Sequence, residues 1–243
     1  SADKKPGVIT GELLELLSTA QHISALSDGA FDITYAAIGY QYNYREKTRP
    51  SQSSIVQTLP AINYTAISLD NTRYTVYFNH QGMKIDLGGI AKGYAVKRCL
   101  TLLEEAGIKH ALVSAGGDTG VLGNRKGRPW LVGIKHPRAE HKMAVHIPLE
   151  NEAISTSGDY ERYFIEDGVR YHHIINPKTG DSARKVVSVS VIGKDPTYVD
   201  ALSTTVFVQG LRAGLKLINA LPEFEAIIID NERRLHYSQG LQQ

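Results

Sequence analysis

The stretch Met83-Lys-Ile-Asp-Leu-Gly-Gly-Ile-Ala-Lys-Gly-Tyr-Ala-Val-Lys97 predicts a strand, a glycine turn and a helix in succession. The strand is expected over residues 83–87, and apolar residues then recur at helical spacing. Lys92 should therefore lie in the first helical turn, where the macrodipole disfavours a cation by about 0.3–1 kcal/mol. A bound phosphate would offset this cost, because backbone N–H groups and an ammonium would converge on it. A solvated lysine beside an ordinary turn is the alternative interpretation.

Residues 198–210 carry a second chemical signal within a predicted helix. Asp200 and Thr204 are four positions apart, so they share one helix face. Carboxylate and hydroxyl oxygens are hard ligands, which Mg²⁺ accepts together with carbonyls, waters and phosphate oxygens. The pair therefore predicts a magnesium site, with a dipole-favoured aspartate and a packed threonine as the alternative. Asp86 likewise could hold a ligand or simply cap the helix that follows the glycine turn.

The segment Tyr171-His-His-Ile-Ile-Asn-Pro-Lys-Thr-Gly180 predicts a strand that ends in a turn. Strand alternation sends His172 and His173 to opposite faces, so one of them can point into a cleft. Histidine is the natural proton acceptor near neutral pH, and the inward ring is a candidate general base. A purely structural histidine is the alternative.

Composition narrows the possible classes of protein. The 243 residues carry a formal net charge of +2, which gives no indication of a nucleic-acid-binding surface. No apolar run approaches the length of a membrane span. The single cysteine, Cys99, cannot form an internal disulfide, and helical spacing places it on the predicted buried side of the helix that contains Lys92.

Hydrophobic periodicity predicts one α+β domain over residues 1–243, with mixed β-sheets and packed helices. No internal repeat or linker interrupts it. Helices are expected at residues 10–27, 91–103, 199–209 and 211–220. Strands are expected at residues 66–69, 74–78, 83–87, 110–115, 131–134, 143–147, 153–156, 170–175, 186–192 and 226–230.

Several short motifs follow one another in a recognisable order. They are Gly29-Ala-Phe-Asp-Ile-Thr34, Asp86-Leu-Gly-Gly-Ile-Ala-Lys-Gly93, Ala115-Gly-Gly-Asp118, Ser155-Thr-Ser-Gly-Asp-Tyr160, His173-Ile-Ile-Asn-Pro-Lys-Thr-Gly180 and Asp200-Ala-Leu-Ser-Thr204. Each is weak alone, but together they resemble the FAD:protein FMN transferase family, the ApbE-like proteins. The resemblance extends from about residue 13 to residue 241 and implies an ApbE-like, T-fold-like architecture.

The resemblance implies a magnesium-dependent enzyme that transfers the FMN half of FAD to a threonine of a partner flavoprotein and releases AMP. In that interpretation Asp200 and Thr204 ligate Mg²⁺ with the carbonyl of Gly89. Asp200 is also counted as catalytic, because its loss is expected to harm the reaction more than loss of Lys92. His173 is the candidate base for the acceptor threonine. The implied contacts to FAD come from Lys92 and Asp86, from Ala30, Phe31 and Asp32 in the nucleotide pocket, and from Ile174 beside the ligand.

The resemblance also leaves alternatives open. Some family members chiefly hydrolyse FAD to FMN and AMP, and a non-catalytic FAD-binding protein would keep the same fold. The family carries an N-terminal segment that covers the flavin and precedes this sequence, and residues 35–44 replace its usual loop pattern. Related proteins imply a periplasmic location, often with an N-terminal lipid anchor. No self-modification site is recognised, so the acceptor is expected to be another protein.

Overall fold

The computed structural model of the chain describes residues 5–139 and 141–242. Its helices are α1 (Gly11–Leu26), α2 (Ala36–Gly39), α3 (Gln52–Thr58), α4 (Ala91–Glu105), α5 (Pro196–Gln209) and α6 (Leu211–Asn219). Its strands are β1 (Gly7–Val8), β2 (Ile67–Asp70), β3 (Thr75–Phe78), β4 (Ala111–Ala115), β5 (Asp118–Leu122), β6 (Trp130–Lys135), β7 (Met143–Leu149), β8 (Ala153–Gly158), β9 (Tyr163–Glu166), β10 (Val169–His172), β11 (Ser188–Gly193), β12 (Phe224–Ile229) and β13 (Leu235–Tyr237). The predicted α+β class is confirmed.

The chain divides into two compact units. Unit 1 comprises Ser1–Leu87 and Glu161–Ala183, and unit 2 comprises Gly88–Tyr160 and Arg184–Gln243. Strand pairings among the described residues are antiparallel in both units, so the several sheets and packed helices are as predicted but the sheets do not mix parallel and antiparallel strands. The single domain over residues 1–243 remains a prediction.

Unit 1 contains a three-stranded sheet of order β1-β3-β2 and the hairpin β9-β10. Helix α1 begins after Thr10, whose hydroxyl accepts a hydrogen bond from the Leu13 N–H, so the predicted helix start is confirmed. One apolar cluster of this unit joins Ile38, Tyr42, Ile55 and Ile175. Residues 83–87, predicted as a strand, instead form an irregular segment.

Unit 2 is built on a six-stranded sheet of order β13-β12-β11-β8-β5-β4, with a separate β6-β7 hairpin. Helix α5 packs on β8 and β11, and helix α4 packs against α5 and β5. Val96 and Leu100 form the buried side of α4, whereas Cys99 is exposed. The expectation that Cys99 is buried was wrong, because one residue of offset rotates a helical side chain by about 100°. Strand β5, which carries Asp118, was not predicted.

The β12–β13 hairpin is closed by the carboxylate of Asp230. Its oxygens accept hydrogen bonds from the Arg234 side chain, the His236 ring and the backbone N–H groups of Glu232 and Arg234. Burial alone raises the pKa of Asp230, but these hydrogen bonds outweigh it and hold the pKa below the ordinary value of 3.8. The ionised carboxylate therefore stabilises the folded state above pH 3.8.

This linkage predicts the pH dependence of an Asp230→Asn variant. Because the folded-state pKa is depressed, the stabilisation by Asp230 is present above pH 3.8 and is lost as pH falls through the folded-state pKa. The melting temperature of the variant should therefore be below that of the parent chain at pH 6, and the difference should shrink in acid. Thermal unfolding from pH 6 to pH 3 measures it. Glu232→Gln, at a largely exposed neighbour, should change little, and a gap that stays constant with pH would contradict the assignment.

Among the residues with described positions, no helix is both long and apolar enough to cross a bilayer.

Candidate active site

Lys92 lies in the first turn of α4, as predicted, and its charge is compensated within unit 2. Its ammonium is 2.6 Å from Oδ2 of Asp118 and 3.1 Å from Oδ1 of Asp200. Two carboxylates therefore offset the unfavourable position of a cation at a helix start. The N-cap residue of α4 is Ile90, which makes no side-chain capping bond. The alternative in which Asp86 caps this helix is therefore wrong.

The two carboxylates share this single ammonium in a protected environment. The side chains of Asp118 and Asp200 are 4% and 2% exposed, whereas Lys92 is 41% exposed. Burial, and then the charge of Asp118, raise the pKa of Asp200. Burial alone lowers the pKa of Lys92, but the charges of Asp200 and Asp118 outweigh it and the pKa is raised. When all three groups are charged, the cluster carries one net negative charge.

Two glycines let the backbone approach this cluster. The Gly93 N–H donates to Oδ2 of Asp200 at 2.9 Å, and a Cβ at Gly93 would lie only 2.1 Å from the carbonyl oxygen of Pro196. Helices α4 and α5 can therefore touch only because this position has no side chain. In the β4–β5 turn, Gly116 has a φ of +57°, and a Cβ there would lie 3.1 Å from Cδ of Lys92.

Thr204 lies one helical turn beyond Asp200 on α5, as predicted. Its Oγ1 is 3.1 Å from Oγ of Ser157, on the neighbouring strand β8. Ser155, two residues earlier on the same strand, donates to Oδ1 of Asp118 at 2.5 Å. Asp118, Ser155 and Ser157 belong to two of the sequence motifs, but no role was predicted for them. Hydroxyls at alternate positions of an otherwise buried strand could have revealed them.

The donor set of this cluster fits a hard divalent cation. It offers a buried excess of negative charge, and a carboxylate and a hydroxyl one turn apart on α5. Residues 5–139 and 141–242 contain no group of three or more His, Cys, Asp or Glu side chains able to hold a metal ion. An ion here would therefore need mixed oxygen ligands. Gly89 is in the turn before α4, and its role as a carbonyl ligand remains a prediction.

The histidine pair lies in unit 1, at the end of β10. His172 is 1% exposed, and its Nε2 is 2.6 Å from the carbonyl oxygen of Ala183. Because a carbonyl can only accept, Nε2 carries the proton, and Nδ1 accepts a hydrogen bond from the Ile174 N–H at 3.3 Å. Both nitrogens of His172 are thus used structurally. His173 follows the strand and is half-buried, while Ile174 is buried.

The other predicted FAD contacts are also in unit 1. Ala30, Phe31 and Asp32 are buried, and Asp32 caps the 3-10 helix Ile33–Tyr35 through a hydrogen bond from the Thr34 N–H. Burial raises the pKa of Asp32 despite its hydrogen bonds. Asp86 interacts with the hydroxyl of Tyr35, whose pKa is raised first by burial and then by the carboxylate charge. Their roles toward FAD remain predictions.

A Lys92→Met variant tests the charge balance of the cluster. Breaking a buried ion pair costs about 3–5 kcal/mol, and the partial exposure of Lys92 reduces the expectation to about 2–3 kcal/mol of unfolding free energy. Lys97→Met is the matched control on the same helix, since the Lys97–Asp195 pair is more exposed and should contribute about 0–1 kcal/mol. Chemical denaturation measures both losses. Equal losses in the two variants would contradict a buried charge cluster.

Comparison with known proteins identifies the relatives of this chain. The sequence profile described as the ApbE family matches residues 1–228. The FAD:protein FMN transferase of Treponema pallidum is 32% identical over an alignment of 258 positions, which spans 99% of this chain and 71% of that protein. A protein of the same name from Klebsiella pneumoniae is 28% identical over 96% of this chain and 73% of its own length.

Solved structures agree with the sequence relatives. The ApbE protein of Thermotoga maritima matches with a TM-score of 0.90 and 36% identity, over 98% of this chain and 79% of that one. The flavin transferase ApbE from Vibrio cholerae matches with a TM-score of 0.88 and 26% identity, over 99% and 79%. The relatives thus confirm the prediction of an enzyme of the transferase class. The chain belongs to the ApbE family.

Proposed function

We propose that this chain is a Mg²⁺-dependent FAD:protein FMN transferase that attaches FMN to a threonine of a partner flavoprotein and releases AMP. The observation that carries the proposal is the buried cluster in which Asp200 and Thr204 share a helix face and Asp200 and Asp118 share one ammonium. The names of the relatives supply the substrate, because several of them are FAD:protein FMN transferases.

The proposed ligands of Mg²⁺ are the carboxylate of Asp200, the hydroxyl of Thr204 and the carbonyl of Gly89. Bound there, Mg²⁺ would neutralise charge that develops on the diphosphate of FAD. Two further contacts position Lys92 and Asp200. The Lys92 ammonium donates a hydrogen bond to Asp118, and the Gly93 N–H donates one to Asp200. Lys92 is the proposed cationic contact to the diphosphate.

The proposed reaction transfers FMN through its phosphoryl group from AMP to the threonine oxygen. The threonine oxygen forms a bond to the FMN-side phosphorus, the bond from that phosphorus to the bridging oxygen breaks, and AMP leaves. The threonine proton passes to His173, the proposed base, which typically contributes about 10²–10⁴-fold to such a step. The structural use of both ring nitrogens of His172 supports the choice of His173 within the pair.

The direct test incubates the chain with FAD and Mg²⁺, with and without a flavin-accepting domain that carries a target threonine. AMP, free FMN and the mass of the acceptor are followed together. The expected result is release of AMP with an acceptor mass gain of one FMN, and loss of both products when EDTA is added. Free FMN and AMP without a mass gain would instead establish an FAD pyrophosphatase. FAD binding without either product would indicate a non-catalytic binding protein.

We also propose, from family resemblance, that the protein is a periplasmic enzyme held at the membrane through an N-terminal lipid anchor. Fractionation of cells that express the complete gene product would test it, with the enzyme expected in the periplasmic or inner-membrane fraction. Recovery in the cytoplasmic fraction would contradict it.

A further inference from the structure

The hydroxyl of Thr204 is the first member of a short series of hydrogen bonds between β8 and α5. Its Oγ1 is 3.1 Å from Oγ of Ser157, which is 2.9 Å from Oγ of Ser203. Oγ of Ser203 is in turn 2.8 Å from the backbone carbonyl oxygen of Asp200. Ser203 is fully buried and Ser157 is 9% exposed, so these hydrogen bonds are largely protected from solvent.

The donor and the acceptor of each hydrogen bond in this series follow from the Asp200 carbonyl at its end. The Asp200 carbonyl can only accept, and Ser203 has one hydroxyl proton, so that proton is committed to the carbonyl. Ser157 must therefore donate to Ser203. The single proton of Ser157 is then used as well, and Thr204 must donate to Ser157. Both lone pairs of the Thr204 oxygen are left available for a cation.

A separate hydroxyl serves the other carboxylate. Ser155 donates its proton to Oδ1 of Asp118 at 2.5 Å, which leaves Oδ2 to the Lys92 ammonium. Oγ of Ser155 is also 3.4 Å from Oγ of Ser203, but both protons are already committed to nearer acceptors. The two hydroxyl arrangements are thus independent, and removing Ser157 should affect Thr204 without disturbing Asp118.

We infer that Ser157 is a positioning residue, which takes the proton of the Thr204 hydroxyl and thereby turns the lone pairs of that oxygen toward a bound divalent cation. The inference deepens the proposed function, since it rests on Thr204 being a ligand of Mg²⁺. Without Ser157, the Thr204 hydroxyl could rotate its proton toward the cation position. Groups that orient metal ligands in this way commonly contribute about 10–100-fold to metal affinity.

The experiment measures binding of Mn²⁺, as a probe of the Mg²⁺ site, by electron paramagnetic resonance of the free ion, in the presence and absence of FAD and without acceptor. Ser157→Ala should raise the Kd about tenfold, and Ser157→Thr, which keeps a hydroxyl, should restore it. Thr156→Val is the matched control, because Thr156 is the next residue of β8 and its hydroxyl pairs instead with Ser190 at 2.7 Å. Its Kd should equal that of the parent chain.

Two further measurements separate the possible failures. Melting temperatures in EDTA should be similar for Ser157→Ala and Thr156→Val, so that a changed Kd reflects the site and not general unfolding. If Asp200→Ala abolishes binding while Ser157→Ala leaves the Kd unchanged, the inference is overturned and the metal site stands. If the parent chain binds no Mn²⁺ under either condition, or if Asp200→Ala binds normally, the proposed metal site and the inference both fail.

Discussion

An Asp200→Asn variant is expected to lose flavin transfer by at least about 10²-fold while remaining folded. The amide has the shape of the carboxylate but no charge, so the proposed Mg²⁺ site loses its only charged ligand on α5. Release of AMP and the mass gain of the acceptor measure the loss. Transfer within a few-fold of the parent chain would contradict the assignment of Asp200.

The same substitution should not reduce stability in the absence of metal. In the parent chain Asp200 and Asp118 are both buried beside one ammonium, and removing one of two like charges leaves a balanced Lys92–Asp118 pair. The Asn side-chain oxygen can still accept the Gly93 N–H, and its NH₂ group can turn the Lys92 ammonium fully toward Asp118, which keeps the shorter of its two ion pairs. The melting temperature in EDTA should therefore equal or exceed that of the parent chain. A marked decrease would indicate that Asp200 is chiefly a structural residue.

Asp195→Asn is the matched control on the same helix. Asp195 is the N-cap of α5 and pairs with Lys97 near the surface. Asparagine is as good an N-cap as aspartate, so little stability should be lost. Transfer activity should stay near that of the parent chain, because Asp195 is outside the cluster.

A Gly93→Ala variant is expected to disrupt the contact between α4 and α5. The added Cβ would lie 2.1 Å from the Pro196 carbonyl oxygen and 2.7 Å from Cβ of Asp200. Relief of this overlap requires α4 and α5 to separate, and overpacking of this kind costs about 1–3 kcal/mol or more. The usual helix-forming advantage of alanine, about 1 kcal/mol, offsets only part of it.

This variant should also lose activity beyond its loss of stability. Separation of the helices would remove the hydrogen bond from Gly93 to Asp200 and displace the proposed metal ligand. Chemical denaturation and the transfer assay on the soluble, folded fraction measure the two effects. Gly7→Ala is the control, because the nearest atom to its added Cβ is 3.8 Å away. A Gly93→Ala chain with full stability and transfer would show that the helices can adjust without cost.

The sequence predicted the main residues of the candidate site, but not the residues that contact them in the folded structure. Helix periodicity placed Lys92 in a first turn and Asp200 and Thr204 on one face, because local spacing alone determines these relations. The sequence did not place Asp118 near these residues, because strand β5 was not predicted and Asp118 is 26 residues from Lys92 in the sequence. The partners of Lys92 therefore emerged only with the tertiary structure.

Local patterns also failed where neighbouring elements decide the outcome. Residues 83–87 alternate as a strand would, yet the Asp86 N–H donates to the carbonyl of Ile33, in a 3-10 helix, and no ladder forms. Cys99 lies next to the buried side of α4. A small error in the predicted rotation of the helix therefore placed it among the buried residues, whereas it is exposed. The roles of the residues assigned to FAD by resemblance stay predictions.

In strand β8, different residues serve the fold and the proposed chemistry. Ala153 and Ile154 are buried apolar residues of the strand, whereas Ser155 and Ser157 direct hydroxyl protons within the cluster. A descendant that exchanged both serines for alanine would keep the sheet and its hydrophobic pattern. Such a chain would resemble its relatives in overall sequence, and these two positions would mark it as a weaker binder of the proposed cation.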